Sequence, residues 1–172
     1  SVAGNVVVGE SALDASVTGG NNVAIGKESL TTLTSGSSNT AVGKGSMALS
    51  TTGSNNTGIG KDALYSNTTA SNNTAVGRSA LVTNTGSSNA AVGYLALEKN
   101  TTADNNTAVG VMALRENTTG TQNVAVGTEA LDANTTGSFN SSLGLSALGG
   151  NTTGDNNTAV GRAALNANTT GD

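Results

Sequence analysis

An aliphatic residue followed by a glycine returns along the entire chain, at Gly9, Gly26, Gly43, Gly60, Gly77, Gly93, Gly110, Gly127, Gly144 and Gly161. Eight of the nine intervals are seventeen residues long, and the one from Gly77 to Gly93 is sixteen. A period this short, sustained over ten copies, describes a coil stacked on itself rather than a globular enzyme domain. The expected fold is therefore all-β: a parallel β-solenoid, or β-roll, of ten 17-residue coils forming one array over residues 1–172, with no linker or domain boundary. A helical repeat is excluded, because seventeen residues do not return to one face of a 3.6-residue helix and Gly, Asn and Thr are poor helix formers.

Aligned on the glycine, the copies read N-N-T-A-V-G-x-x-A-L-x-x-N-T-T-G-x. Four residues before the glycine stands an Asn in every copy, from Asn5 through Asn22, Asn39, Asn56, Asn73, Asn89, Asn106, Asn123 and Asn140 to Asn157. Stacked amides hydrogen-bond from coil to coil in parallel β assemblies, so this column is expected to be a structural ladder rather than a ligand-binding row. Strand alternation in Asn73-Thr74-Ala75-Val76 puts Thr74 and Val76 on one face and Ala75 on the other. Copies with Val6, Val23 or Val124 in place of Thr mark the Thr/Val face as the apolar one, expected to line the coil interior together with the Leu four residues after the glycine. The small column, with Ala75, Ala91 and Ala108, is expected against another chain or in a tightly packed interior. The glycine turns the chain, a short second strand carries Leu81, Leu114 or Leu131 inward, and N-T-T-G closes the coil as a polar turn. The sixteen-residue interval agrees: Asn84-Thr85-Gly86 lacks one Thr, and a deletion in a turn spares the strand faces.

Composition limits what such a coil can bury. The chain has 24 glycines and only one Phe, two Tyr and no Trp, so its core is thin. Association with further copies, giving a homotrimer, is the expected remedy. Seven basic against eleven acidic residues, a formal charge of −4, disfavour nucleic acid as a partner. No apolar run is long enough to insert into a membrane. Stacking at about 4.8 Å per strand makes a rod on the order of 48 Å long. Because Val2 to Gly9 already belong to a coil and Asn168-Thr169-Thr170-Gly171 completes one, the rod is expected to be part of a longer fibre.

Asn22-Val23-Ala24-Ile25-Gly26 and Asn123-Val124-Ala125-Val126-Gly127 resemble the N-S-V-A-I-G repeat of trimeric autotransporter adhesin heads. The longer form, with Ala-Leu and Asn-Thr-Thr-Gly, is similar to repeats of phage tail fibres. The resemblance spans the chain, although adhesin-head repeats are usually shorter and the extra residues here fall in the N-T-T-G turn. It implies a left-handed β-roll three chains wide, extracellular, on a virion or a bacterial cell surface, that serves in host attachment.

No catalytic, cofactor or metal site is expected. The chain has no His and no Cys, which removes the usual bases, imidazole and thiolate ligands and thiol nucleophiles. Its carboxylates fall at variable positions and no pair stands out for glycoside hydrolysis. The periodic glycines precede no helix that could hold a phosphate. Two features break the repeat. Lys27, Lys44, Lys61 and Arg78 occupy one exposed position in successive coils, a stripe suited to an anionic polysaccharide or to guarding an edge against aggregation. In the next two coils the same turn carries Tyr94, Leu95, Val111 and Met112, an apolar cluster of the kind that marks a contact, here with a neighbouring chain. The N-T-T triplets at Asn67, Asn100, Asn117, Asn134, Asn151 and Asn168 match the glycosylation acceptor pattern because the turn recurs.

The sequence thus reads as a structural and adhesive fibre segment, a rigid shaft or a surface for a glycan or protein receptor. The alternative is an ice-binding solenoid. That reading is disfavoured because an ice face wants two Thr on one side of a strand, whereas alternation turns the two Thr of Asn117-Thr118-Thr119 opposite ways. A polysaccharide-cleaving tailspike ranks below both.

Overall fold

The computed structural model describes residues 4–172; Val2 and Ala3, the start of the first repeat, lie outside the described residues. Ten three-residue strands follow one another: β1 (Val6–Val8), β2 (Val23–Ile25), β3 (Thr40–Val42), β4 (Thr57–Ile59), β5 (Thr74–Val76), β6 (Ala90–Val92), β7 (Thr107–Val109), β8 (Val124–Val126), β9 (Ser141–Leu143) and β10 (Thr158–Val160). They form one parallel sheet in sequential order, the arrangement of a β-solenoid. Each strand residue pairs with its equivalent one repeat later, as in Thr57↔Thr74 and Ile59↔Val76. Across the short repeat the register becomes Thr74↔Ala90 and Val76↔Val92, so the missing Thr is absorbed entirely in the turn.

The aliphatic column points the opposite way from the sequence expectation, whereas the small column takes the tightly packed interior, one of its two expected places. The middle residue points inward: Ala24, Ala41, Ala75, Ala91, Ala108 and Ala125 are fully buried. The aliphatic residue before the glycine points outward, with Val109 39% exposed while Leu114 is 0% exposed. The reason is the width of the coil. The strand lies directly on the returning segment, so that a methyl group built on Gly58 would stand 2.8 Å from Ser46 Oγ and 3.0 Å from Met47 Cγ. Only an Ala-sized side chain fits between the two walls, and the Leu ladder (Leu30, Met47, Leu64, Leu81, Leu97, Leu114, Leu131, Leu148) fills the remaining interior. One of the two expected apolar ladders is therefore internal and the other is a surface.

The expected second strand is absent. The segment after each glycine is a run of turns in which the second and fourth residues are left-handed, such as Met112 (φ 58°) and Leu114 (φ 52°). The left-handed fourth residue carries its side chain into the interior, where Leu114 is fully buried. This segment is still tied from coil to coil, as by Leu114 N–H to Ala130 O at 3.0 Å and Met112 N–H to Tyr94 O at 2.9 Å. The repeat glycine itself is required twice over. Gly26 has φ 127°, and a Cβ there would come within 2.7 Å of the Gly43 carbonyl in the next coil.

Candidate functional site

Each coil exposes a two-column strand face. Its outer column is aliphatic in every described strand: Val8, Ile25, Val42, Ile59, Val76, Val92, Val109, Val126, Leu143 and Val160. The inner column is Thr or Val in most strands, for example Thr40, Thr57, Thr74, Thr107 and Val124, and these side chains are half-buried or exposed. Parallel in-register pairing lines both columns up into straight rows. The result is an apolar stripe along the whole sheet, longer than the single scattered apolar residues that soluble surfaces normally show.

Two amide ladders hold the edge of this face. Asn22, Asn39, Asn56, Asn73, Asn89, Asn106, Asn123 and Asn140 are buried, as is Asn157 at the last coil. Asn73 Oδ1 accepts the Asn89 N–H at 2.9 Å, while Asn73 Nδ2 donates to Gly86 O at 2.9 Å. Every interior member repeats this pattern, so each side-chain amide grips the following coil twice, while the backbone N–H of the same residue reaches back to the preceding coil. The second ladder is built from the Asn of N-T-T. Asn67, Asn84, Asn100, Asn117, Asn134 and Asn151 are fully buried, with Asn117 Nδ2 donating to Asn100 Oδ1 at 2.9 Å. Burial closes these five N-T-T asparagines (Asn67, Asn100, Asn117, Asn134, Asn151) to a glycosyl carrier, whereas Asn168 in the final turn is half-buried. The sequence reading missed this second ladder; its signal was the Asn that opens every N-T-T turn from Asn67 onward and stays even where a Thr is lost, at Asn84.

The N-T-T turn also departs from simple alternation. The Asn alone faces inward, and neither Thr is buried at Thr118-Thr119 or Thr135-Thr136. The first Thr hydroxyl is engaged, as Thr118 Oγ1 donates to Thr135 O at 2.9 Å.

Lys27, Lys44, Lys61 and Arg78 do form an exposed column. Most of its charge is answered locally. Lys27 Nζ lies 3.0 Å from Glu10 Oε2, and that hydrogen bond raises the Lys27 pKa. Lys61 Nζ is 3.4 Å from Asp62 Oδ2, and the Arg78 guanidinium sits 5.7 Å from the centroid of the Tyr94 ring. Such exposed contacts are worth little individually. Further along the column Tyr94 and Val111 are exposed, while Leu95 and Met112 occupy left-handed positions and are half-buried. Together with Val92 and Val109 they widen the apolar stripe around the glycine turn at the sixth and seventh coils.

On the segment after the glycine turn runs an ion-pair ladder: Lys99 Nζ to Glu116 Oε2 at 2.6 Å, Arg115 Nε to Glu116 Oε1 at 3.0 Å, and Arg115 Nη2 to Asp132 Oδ2 at 3.3 Å. The Lys99 hydrogen bond holds the Glu116 carboxyl below its ordinary pKa. Asp132 moves the other way. Its burial outweighs the Arg115 charge and pushes its pKa up, and its Oδ1 is buried without a hydrogen-bond partner. Among the described residues no group of three or more His, Cys, Asp or Glu side chains could hold a metal ion, and no helix is long and apolar enough to cross a membrane. No family model, curated protein or solved structure matches the chain.

Proposed function

We propose that this chain is a rigid segment of an extracellular attachment fibre, of the phage tail fibre or bacterial adhesin kind, in which three copies pack their strand faces around a common axis. The observation that carries this reading is the unbroken column of outward aliphatic side chains from Val8 to Val160. A thin coil whose interior admits only Ala opposite Leu leaves its largest remaining apolar rows outside, and a second copy of the same rows is the surface that matches them. Three is the number the repeat resemblance implies. The homotrimer needs no cofactor, and its outer surface, opposite the strand face, remains free for a cell-surface glycan or protein.

Ice binding is favoured by one observation, the in-register rows of Thr and aliphatic side chains on a parallel sheet, seen in Thr57–Ile59 and Thr107–Val109. It requires that same face to be open to water, so the two readings exclude each other. Thermal hysteresis measured with the purified chain decides between them: an assembled fibre segment gives none, and a clear freezing-point gap with monomeric protein overturns the fibre reading. A Val109→Asp substitution, which places a charge in the stripe, is expected to dissociate the assembly while the coil stays folded.

A further inference from the structure

We infer that the second to fourth coils carry a binding groove for one neutral hexopyranose unit of a glycan, an inference that rests on the attachment reading and assigns it a site. The groove holds about 190 Å³ and is lined by Glu28, Thr31, Thr32, Ala48, Leu49 and Tyr65. It exists because the third coil lacks side chains where its neighbours have them. Ala48 stands in the column between Thr31 and Tyr65, and Gly45 stands between Glu28 and Asp62. Gly45 leaves the Tyr65 ring uncovered: a Cβ built there would lie 3.7 Å from its Cδ2 and Cε2 atoms.

The lining has the chemistry of a sugar subsite. The Tyr65 ring and Leu49, both partly exposed, offer an apolar wall to the C–H face of a pyranose. On the same groove the Glu28 carboxylate, a neighbour of the Lys27 ammonium, makes no ion pair within 4.0 Å and no side-chain hydrogen bond among the described residues, and so has its acceptor capacity free for ring hydroxyls. Thr32 Oγ1 is already committed as a donor to Ala48 O at 2.9 Å, which fixes it as a further acceptor. A wall of acceptors with one free carboxylate suits a polyhydroxylated neutral ring and repels an acidic one. The groove also lies on the returning segment, away from the strand face, and so stays open when strand faces are covered.

The test is saturation-transfer NMR on the full chain, with irradiation of the aromatic protons and methyl glycosides of glucose, galactose and mannose as probes, beside methyl glucuronoside and methyl sialoside. The chain has one Phe and two Tyr, so the saturated ring is identifiable by substitution. The expected result is transfer to one C–H face of at least one neutral hexoside. It should fall about fivefold or more in Tyr65→Ala and in Glu28→Gln and persist in Tyr94→Ala. No transfer to any neutral hexoside, undiminished transfer in Tyr65→Ala, or preference for the acidic glycosides overturns the proposal. Because Glu28→Gln alters only a surface carboxylate, its loss of signal with unchanged thermal unfolding separates a binding role from a folding one. A trimer that fails to bind these sugars refutes the groove alone, whereas a monomer that binds them refutes the fibre reading alone.

Discussion

Asn73 shows how much one side chain carries in this fold. Its amide accepts from Asn89 N–H and donates to Gly86 O, while its own N–H donates to Asn56 Oδ1 at 2.9 Å. Asp lacks the donor, Ser is too short to span both neighbours and Gln too long, which explains why the column does not vary. Asn73→Ala orphans a buried N–H and should cost about 2–3 kcal/mol in chemical denaturation. Thr69→Ala in the exposed turn should stay within about 0.5 kcal/mol. The first amide ladder was legible from sequence because Asn has few other reasons to recur at one phase. Asp132 is a residue whose behaviour only packing reveals. Its pKa is raised in the fold, so the folded state binds more protons than the unfolded chain between the two values. Stability should therefore fall as pH rises through that window, starting from the ordinary carboxylate range. Thermal unfolding of Asp132→Asn should lack this decline and match or exceed the wild type at neutral pH; a loss of stability at neutral pH would show that the Arg115 pair outweighs the burial.

At the scale of one coil, the strand, its register and the turn that absorbs a deletion were readable from periodicity, but the direction of the strand faces was not. Hydrophobicity put Val109 inside; steric width put Ala108 there. The overlooked signal is uniformity: the Ala column stays small through Ala75, Ala91, Ala108 and Ala125, as a side chain between two backbones must, while the outer columns vary in size. The left-handed segment had a signal as well. Among the described residues no Val, Ile or Thr occupies any of the left-handed positions, although Val and Thr are common elsewhere in the chain, because a β-branched side chain clashes with the backbone at positive φ. Leu114→Ile should accordingly destabilise by more than about 2 kcal/mol, whereas Leu114→Met should cost under about 1.5 kcal/mol. Equal losses by thermal unfolding would remove the backbone argument. Deleting Thr119 should likewise leave the chain folded, as Asn84-Thr85-Gly86 already does, while deleting Ala108 should unfold its neighbouring coils in limited proteolysis.

Over the whole molecule, the same geometry that makes a stable stack leaves one face unfinished. The amide ladders, the paired strands and the Leu column satisfy the coil along its axis and inside it, while the outward aliphatic column, with Val109 and Leu143 exposed, is not covered by the chain itself. The proposed trimer and the proposed attachment role both depend on what covers that column, and the repeat pattern alone decides neither. The most direct measurement is the solution mass by sedimentation equilibrium at low micromolar concentration, made on the wild type and on Val109→Asp. One chain has a mass of 16.6 kDa. The wild type is expected at three times that mass and Val109→Asp near a single chain with its circular dichroism retained. A wild type that sediments as a folded single chain would contradict the account.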